Sequence, residues 1–251
     1  MWNFLTDPSN WSGSEGIWAR IVEHLWYTGV ALAISIAIAL PIGLRIGHTR
    51  RGAFLAINTG NAARALPSLG LLMLAVLLTD QIGFLPVLIA LVALGIPPIL
   101  TSTYAGVSGA DPAAIDAARG MGMTGSQVLR KVEIPIAMPL IISGIRAATL
   151  QIVATATIAA LVALGGLGRY VVDGLKLREF PQMFAGAFLV ALLAVLLDLS
   201  FALLTRFVVS DGITGRVRRG PAAGLDASAP DASAPTASAP DEEKSPANAG
   251  T

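Results

Sequence analysis

Long apolar runs, each closed by charge or by proline and glycine, alternate along the chain with short polar stretches. The first run, Leu25 to Leu44, holds twenty residues without a charge and ends at Arg45, Arg50 and Arg51. A second extends from about Phe54 to Leu78, interrupted by Arg64 and bent at Pro67. A third lies inside the uncharged stretch from Gln81 to Ala110. There Pro97-Pro98 is expected to break the helix near one end, because proline lacks an amide donor and crowds the preceding turn. A fourth starts after Pro135 and reaches about Ala163, carrying Arg146, and a fifth, Met183 to Val209, carries Asp198. Apolar runs longer than ~18 residues read as bilayer spans, where a helix satisfies every backbone group internally. The pattern predicts an all-α integral membrane protein with about five transmembrane helices.

Composition agrees. Of 251 residues, 54% are hydrophobic and 13% charged, against roughly 25% charged in soluble domains. A net charge of +1 gives no bulk attraction to nucleic acid. The absence of cysteine excludes disulfides, thiolate metal sites and cysteine nucleophiles. His24 and His48 lie in membrane-flanking segments without a neighbouring carboxylate cluster in sequence, and are not read as metal ligands. No histidine pair, carboxylate pair or nucleophile–base set is visible, so no catalytic residue, metal or cofactor is assigned. The first eight residues lack the basic start and small-residue cleavage site of a signal peptide, and none is expected.

Lysine and arginine in the loops set the orientation. With the N-terminus outside, the inner flanks hold Arg45, Arg50, Arg51, Arg119, Arg130, Lys131, Arg206, Arg216, Arg218 and Arg219. The outer flanks hold Arg20, Arg169, Lys176 and Arg178. The N-terminus is therefore expected outside and the C-terminus in the cytoplasm. Residues 1–22 read as an extracytoplasmic lead-in with an interfacial helix, and 23–210 as the membrane domain. Trp2, Trp11, Trp18 and Trp26 all fall before or at the start of span one and suit the headgroup layer, with stacking on a ligand as the alternative. Residues 211–251 contain two DASAP repeats and the variant TASAP. Such Ala/Ser/Pro sequence buries no core and is expected to be a disordered cytoplasmic tail.

The polar segment 109–135 carries the most information. Asp111-Pro112 is a helix start, with a side-chain oxygen to cap and proline in the first turn. The alanine-rich stretch that follows favours helix to Met121. Gly122 suits a left-handed stop, and Thr124-Gly125-Ser126-Gln127 fits a capping box opening a second short helix that runs to Pro135. Two short helices at a sharp turn would then lie on the cytoplasmic side. Their small residues Ala113, Ala114, Ala117 and Ala118 would permit a partner's close approach. The glycines of Gly120-Met121-Gly122-Met123-Thr124-Gly125 match G-x-G-x-x-G, but dinucleotide binding needs a preceding strand and a helix is expected there.

Asp116-Ala117-Ala118, Gly122 and Val132-Glu133-Ile134-Pro135 resemble the EAA loop of ABC-type importer permeases, with Asp for Glu and Val and Ile as the flanking aliphatics. The resemblance extends from about Glu23 to Phe207. Within it Glu23-His24-Leu25, Leu66-Pro67-Ser68-Leu69, Gly95 to Leu100 and Gly165-Gly166-Leu167-Gly168 are similar to the osmoprotectant branch. That branch takes up glycine betaine, carnitine, choline or proline. The resemblance implies a type I importer permease in a bacterial inner membrane. It also implies a second permease subunit, identical or paralogous, two ATPase subunits on the cytoplasmic face, an extracytoplasmic binding protein, and lipid around the spans. Asp116, Ala117, Ala118, Gly122 and Pro135 would couple the permease to the ATPase. The sequence itself holds no G-x-x-x-x-G-K-[ST] phosphate loop, so energy is expected from a partner.

Arg64, Arg146 and Asp198 lie within spans, where ionisable groups are costly. Counted at ~1.5 Å per residue, all three sit roughly 12–15 Å in from the cytoplasmic side. A structural pair holding spans four and five together is expected, with Arg64 as the other candidate partner of Asp198 and with snorkelling of Arg146 and an ion pathway as alternatives. Two rival functions remain at this level: an importer for another small solute such as an amino acid, and an ion-gradient-driven carrier. A quaternary ammonium prefers an aromatic cage. Aromatics are only 6% here, so such a cage is expected on the separate binding protein.

Overall fold

The computed structural model describes residues 2–54, 56, 58, 65 and 67–208, and every regular element among them is helical. Helix α1 (Trp2–Thr6) and a 3-10 turn (Pro8–Asn10) precede α2 (Ile17–Thr49). Then come α3 (Ser68–Thr79), α4 (Phe84–Ser108), α5 (Pro112–Gly120) and α6 (Gly125–Val128). A π turn (Leu129–Glu133) joins α6 to α7 (Ile134–Ala156), which ends in a 3-10 turn (Thr157–Val162). Helices α8 (Gly168–Lys176) and α9 (Phe180–Val208) complete the described chain.

Four helical stretches are long and apolar enough to cross a membrane: Ile17–Thr49, Phe84–Ser108, Gly125–Val162 and Phe180–Arg206. The expected second span is represented by the twelve-residue apolar helix α3. Arg64 and most of that span's first half lie outside the described residues, as does the tail. Helix α2 begins at Ile17, inside the segment expected as lead-in. Trp11 turns inward, its indole N–H donating to the Leu5 carbonyl at 2.8 Å. Trp2, Trp18 and Trp26 stay exposed.

Pro97-Pro98 does not break α4, which runs through both prolines to Ser108. A buried setting tolerates the lost donors because neighbouring groups take up the freed backbone. Pro97 is buried where α4 packs between its neighbours α2 and α7. Pro135 likewise does not end a short helix. Its missing N–H falls just after the π turn, where Ile134 N–H donates to Leu129 O, five residues back. The wider turn relieves the clash that a proline ring makes with the carbonyl four residues earlier. The expected second loop helix and span four are therefore one continuous rod.

Close crossings hold the bundle together. A Cβ added at Gly43 would lie 2.7 Å from Thr103 Cβ, and one at Gly47 2.7 Å from Val107 Cβ. One at Gly144 would lie 2.6 Å from Ser102 Cβ. Small residues on facing helices bring backbones together, the packing mode that replaces the hydrophobic effect inside a bilayer. Helix α4 is the hub, packed on α2 on one side and α7 on another. Ala31, Leu91, Ile152 and Ala156 share one buried cluster there.

Candidate coupling loop

Between α4 and α7 the chain leaves the bundle and returns through a loop organised by local bonds. Asp111 Oδ1 accepts from Ala113 N–H at 2.9 Å, and Pro112 fills the first turn where no donor is needed. At the far end Gly122, with φ +81°, donates to Arg119 O at 2.9 Å, and Met123 N–H donates to Ala118 O at 3.2 Å. These two bonds and the left-handed glycine form a Schellman stop. Thr124 and Gln127 then make the reciprocal capping box, Thr124 N–H donating to Gln127 Oε1 at 2.8 Å. The glycine-rich hexapeptide is thus a helix–turn–helix, with a helix where a dinucleotide site needs a strand.

The loop has its own small core of Ala110, Ile115, Ala118 and Val128, with Met123, Val132 and Ile136 against it. This corrects one expectation. Ala118 is buried and seats α5 on the loop, so it cannot face a partner directly. The exposed face of α5 presents Ala113, Asp116 and Ala117 and leads to Met121, Gly122 and Thr124. Met121 is 72% exposed, a soft, adaptable contact at the tip that no sequence signal had marked. Pro135 is half-buried in the rod and shapes the π turn without reaching that face.

Two groups from the end of α2 reach the loop. His48 Nδ1 donates to Glu133 Oε2 at 2.5 Å, with Glu133 only 2% exposed. Arg50, the left-handed cap of α2, donates from Nη2 to the Ala110 carbonyl at 3.3 Å. Beside them is a cleft of about 270 Å³ bounded by Asp116 and Arg119. Farther along α7, Arg146 and Asp198 form a bidentate pair, Nε to Oδ1 at 2.5 Å and Nη2 to Oδ2 at 2.6 Å, tying α7 to α9. Both side chains are about one-third exposed, at 39% and 34%.

At the opposite end the glycine loop before α8 closes onto the start of α2. Gly166 N–H donates to Glu23 Oε2 at 2.7 Å, and Arg20 bonds the same oxygen at 2.9 Å. A Cβ at Gly165 would fall 2.0 Å from that oxygen, so a larger residue there would displace the Glu23 carboxylate from this contact. His24, fully buried, donates from Nε2 to the Val153 carbonyl at 3.1 Å. That bond makes it a packing residue. Tyr170 donates to the Glu15 carbonyl at 2.6 Å, and burial pushes its phenol above the ordinary tyrosine range.

Fold and loop together define a multi-pass helical membrane protein with a structured polar loop between two of its spans. Residues 29–210 match the family described as binding-protein-dependent transport system inner membrane component. The chain belongs to that family, and is a multi-pass protein of the bacterial inner membrane. It is 35% identical over 193 residues to the glycine betaine/carnitine/choline transport system permease protein OpuCB of Bacillus subtilis (strain 168), covering 77% of this chain and 88% of that one. It is 32% identical to the choline transport system permease protein OpuBB of the same organism, covering 77% and 89%. A chain of the MetNI methionine ABC transporter, solved in an inward-facing conformation, matches with a TM-score of 0.67 over 77% of this chain and 97% of that one. At 23% identity this likeness shows the fold.

Proposed function

We propose that this chain is the permease subunit of an ATP-driven, binding-protein-dependent importer for osmoprotectants such as glycine betaine, choline, carnitine or proline. The supporting observation is the 109–135 loop: a doubly capped helix with an exposed small-residue face, rigidly rooted in the spans. Relatives named for choline and glycine betaine transport point to the solute class. ATP hydrolysis belongs on this reading to a separate subunit seated on Asp116, Ala117 and Met121. A second permease subunit completes the path, and a binding protein delivers solute to the outer end. The loop lies on the cytoplasmic side, where the positive charges concentrate. On intact cells Ser126→Cys is expected to resist an impermeant thiol reagent and Gln182→Cys to react; the reverse pattern overturns the orientation.

The coupling role is tested at Gly122. No atom lies within 4 Å of a Cβ added there, so a larger residue meets conformational strain and no steric block. Gly122→Val should re-aim α6 relative to α5, and Ala118→Glu should force a charge into the loop core. Both should insert normally and lose ATPase co-purification and ATP-driven uptake. Full uptake by both variants would favour a gradient-driven carrier.

A further inference from the structure

We infer that the last turn of α2 belongs to the coupling apparatus: His48 and Arg50 are positioning residues that clamp the exit and the entry of the 109–135 loop. The inference rests on the reading of α5 as the ATPase-facing helix. A nine-residue helix carried on a loop rocks under load unless both roots are held. The entry root is Ala110, one residue before the Asp111 cap, and its carbonyl takes the Arg50 guanidinium. The exit root is Glu133, the last residue of the π turn, and its carboxylate takes His48. His48 and Arg50 are two residues apart, so one helix end grips both.

The Glu133 grip is the stronger. Its carboxylate is buried and its one salt bridge among the described residues is to His48. A buried charge stripped of its partner is expensive, so the contact resists opening. The π turn contributes to the aim. It takes up one residue more than an α turn, which shifts loop-side faces by about 100° relative to those of α7. Force passed to α2 does not stop there. Gly43 and Gly47 meet Thr103 and Val107 with no space for a methyl group, so α2 and α4 move together at this end. The cleft beside Asp116 and Arg119 gives α5 room to tilt while its roots stay fixed.

The test uses the whole complex, permease with its ATPase and binding protein, in proteoliposomes supplied with radiolabelled glycine betaine or choline, whichever the wild type accumulates. Solute accumulated per ATP hydrolysed is the readout. His48→Ala should lower it by about tenfold, inside the range of ordinary coupling contacts, and Arg50→Gln should lower it less. The double variant His48→Gln/Glu133→Gln keeps a neutral hydrogen bond between the two positions and should recover most of the loss. A purely structural role would reduce the amount of complex and leave the ratio unchanged in what assembles. That outcome overturns the inference. Should His48→Ala fail to assemble, Arg50→Gln and the double variant decide: a wild-type ratio in Arg50→Gln overturns the clamp. Ala117→Glu separates the two readings. If it keeps ATPase binding and uptake, the coupling role of the loop itself fails; if it loses them while the His48 and Arg50 variants keep their ratio, only the clamp fails.

Discussion

Helices α4 and α9 are both long and apolar, and hydropathy alone ranks them as equivalent spans. Their environments differ sharply: half of the apolar stretch of α4 is buried inside the subunit, against 6% of that of α9. Side-chain size accounts for the difference. Helix α4 carries Gly95 and Gly106 where α2 and α7 come closest, so backbones pack against it from two sides. Helix α9 turns Phe184, Phe188, Leu192, Val195 and Leu199 outward. It is held near its outer end by close contact of Gly186 with Tyr170, and in mid-span by the Arg146–Asp198 pair. Apolarity sends a segment into the bilayer, and small residues decide whether it becomes the hub.

The comparison breaks most visibly at Gly95. A Cβ there would sit 2.5 Å from Ser35 Oγ and 2.8 Å from Ile152 Cδ1, where three helices meet. Gly95→Val should destabilise the detergent-solubilised subunit by about 3 kcal/mol, the upper part of the overpacking range. Gly29, with nothing within 4 Å of its added Cβ, is the control, and Gly29→Val should melt near wild type. Equal melting of the two variants would remove close packing as the explanation for the hub.

A smaller effect is expected at the tether of α9. Asp198→Asn and Arg146→Gln should each lower the unfolding temperature, because each strands a charge at a depth where water is scarce. The double variant should recover part of the loss, giving a non-zero coupling in a double-mutant cycle. Strict additivity would show that the pair does not hold α9 in place. The smallest effect is expected on the open face of α9 itself. Ala187→Leu should change the isolated subunit's stability by no more than about 0.5 kcal/mol. A large loss that appears only in the assembled complex would show that another subunit covers this face.

Much of the 109–135 loop was legible in sequence because its determinants are local. Asp111-Pro112, Gly122 and Thr124-x-x-Gln127 act through bonds spanning two to five residues, and each makes the bond its chemistry predicts. Depth counting brought Arg64, Arg146 and Asp198 to one level but could not choose partners; the packing of α9 on α7 brings Arg146 and Asp198 together. Pro97-Pro98 and Pro135 misled because proline's cost depends on what surrounds it. A buried place in the bundle at Pro97 and a widened turn before Pro135 let the helix continue.

By itself, the sequence determined which segments enter the bilayer and where the loop helix starts and stops. Those outcomes follow from burial of apolar runs and from hydrogen bonds between near neighbours in the chain. Only the tertiary structure decided that His48 grips Glu133 across 85 residues and Glu23 grips Gly166 across 143. It also decided that Ala118 faces inward. A charge or a glycine carries no address for a distant partner, and helix packing alone brings the two to the same place.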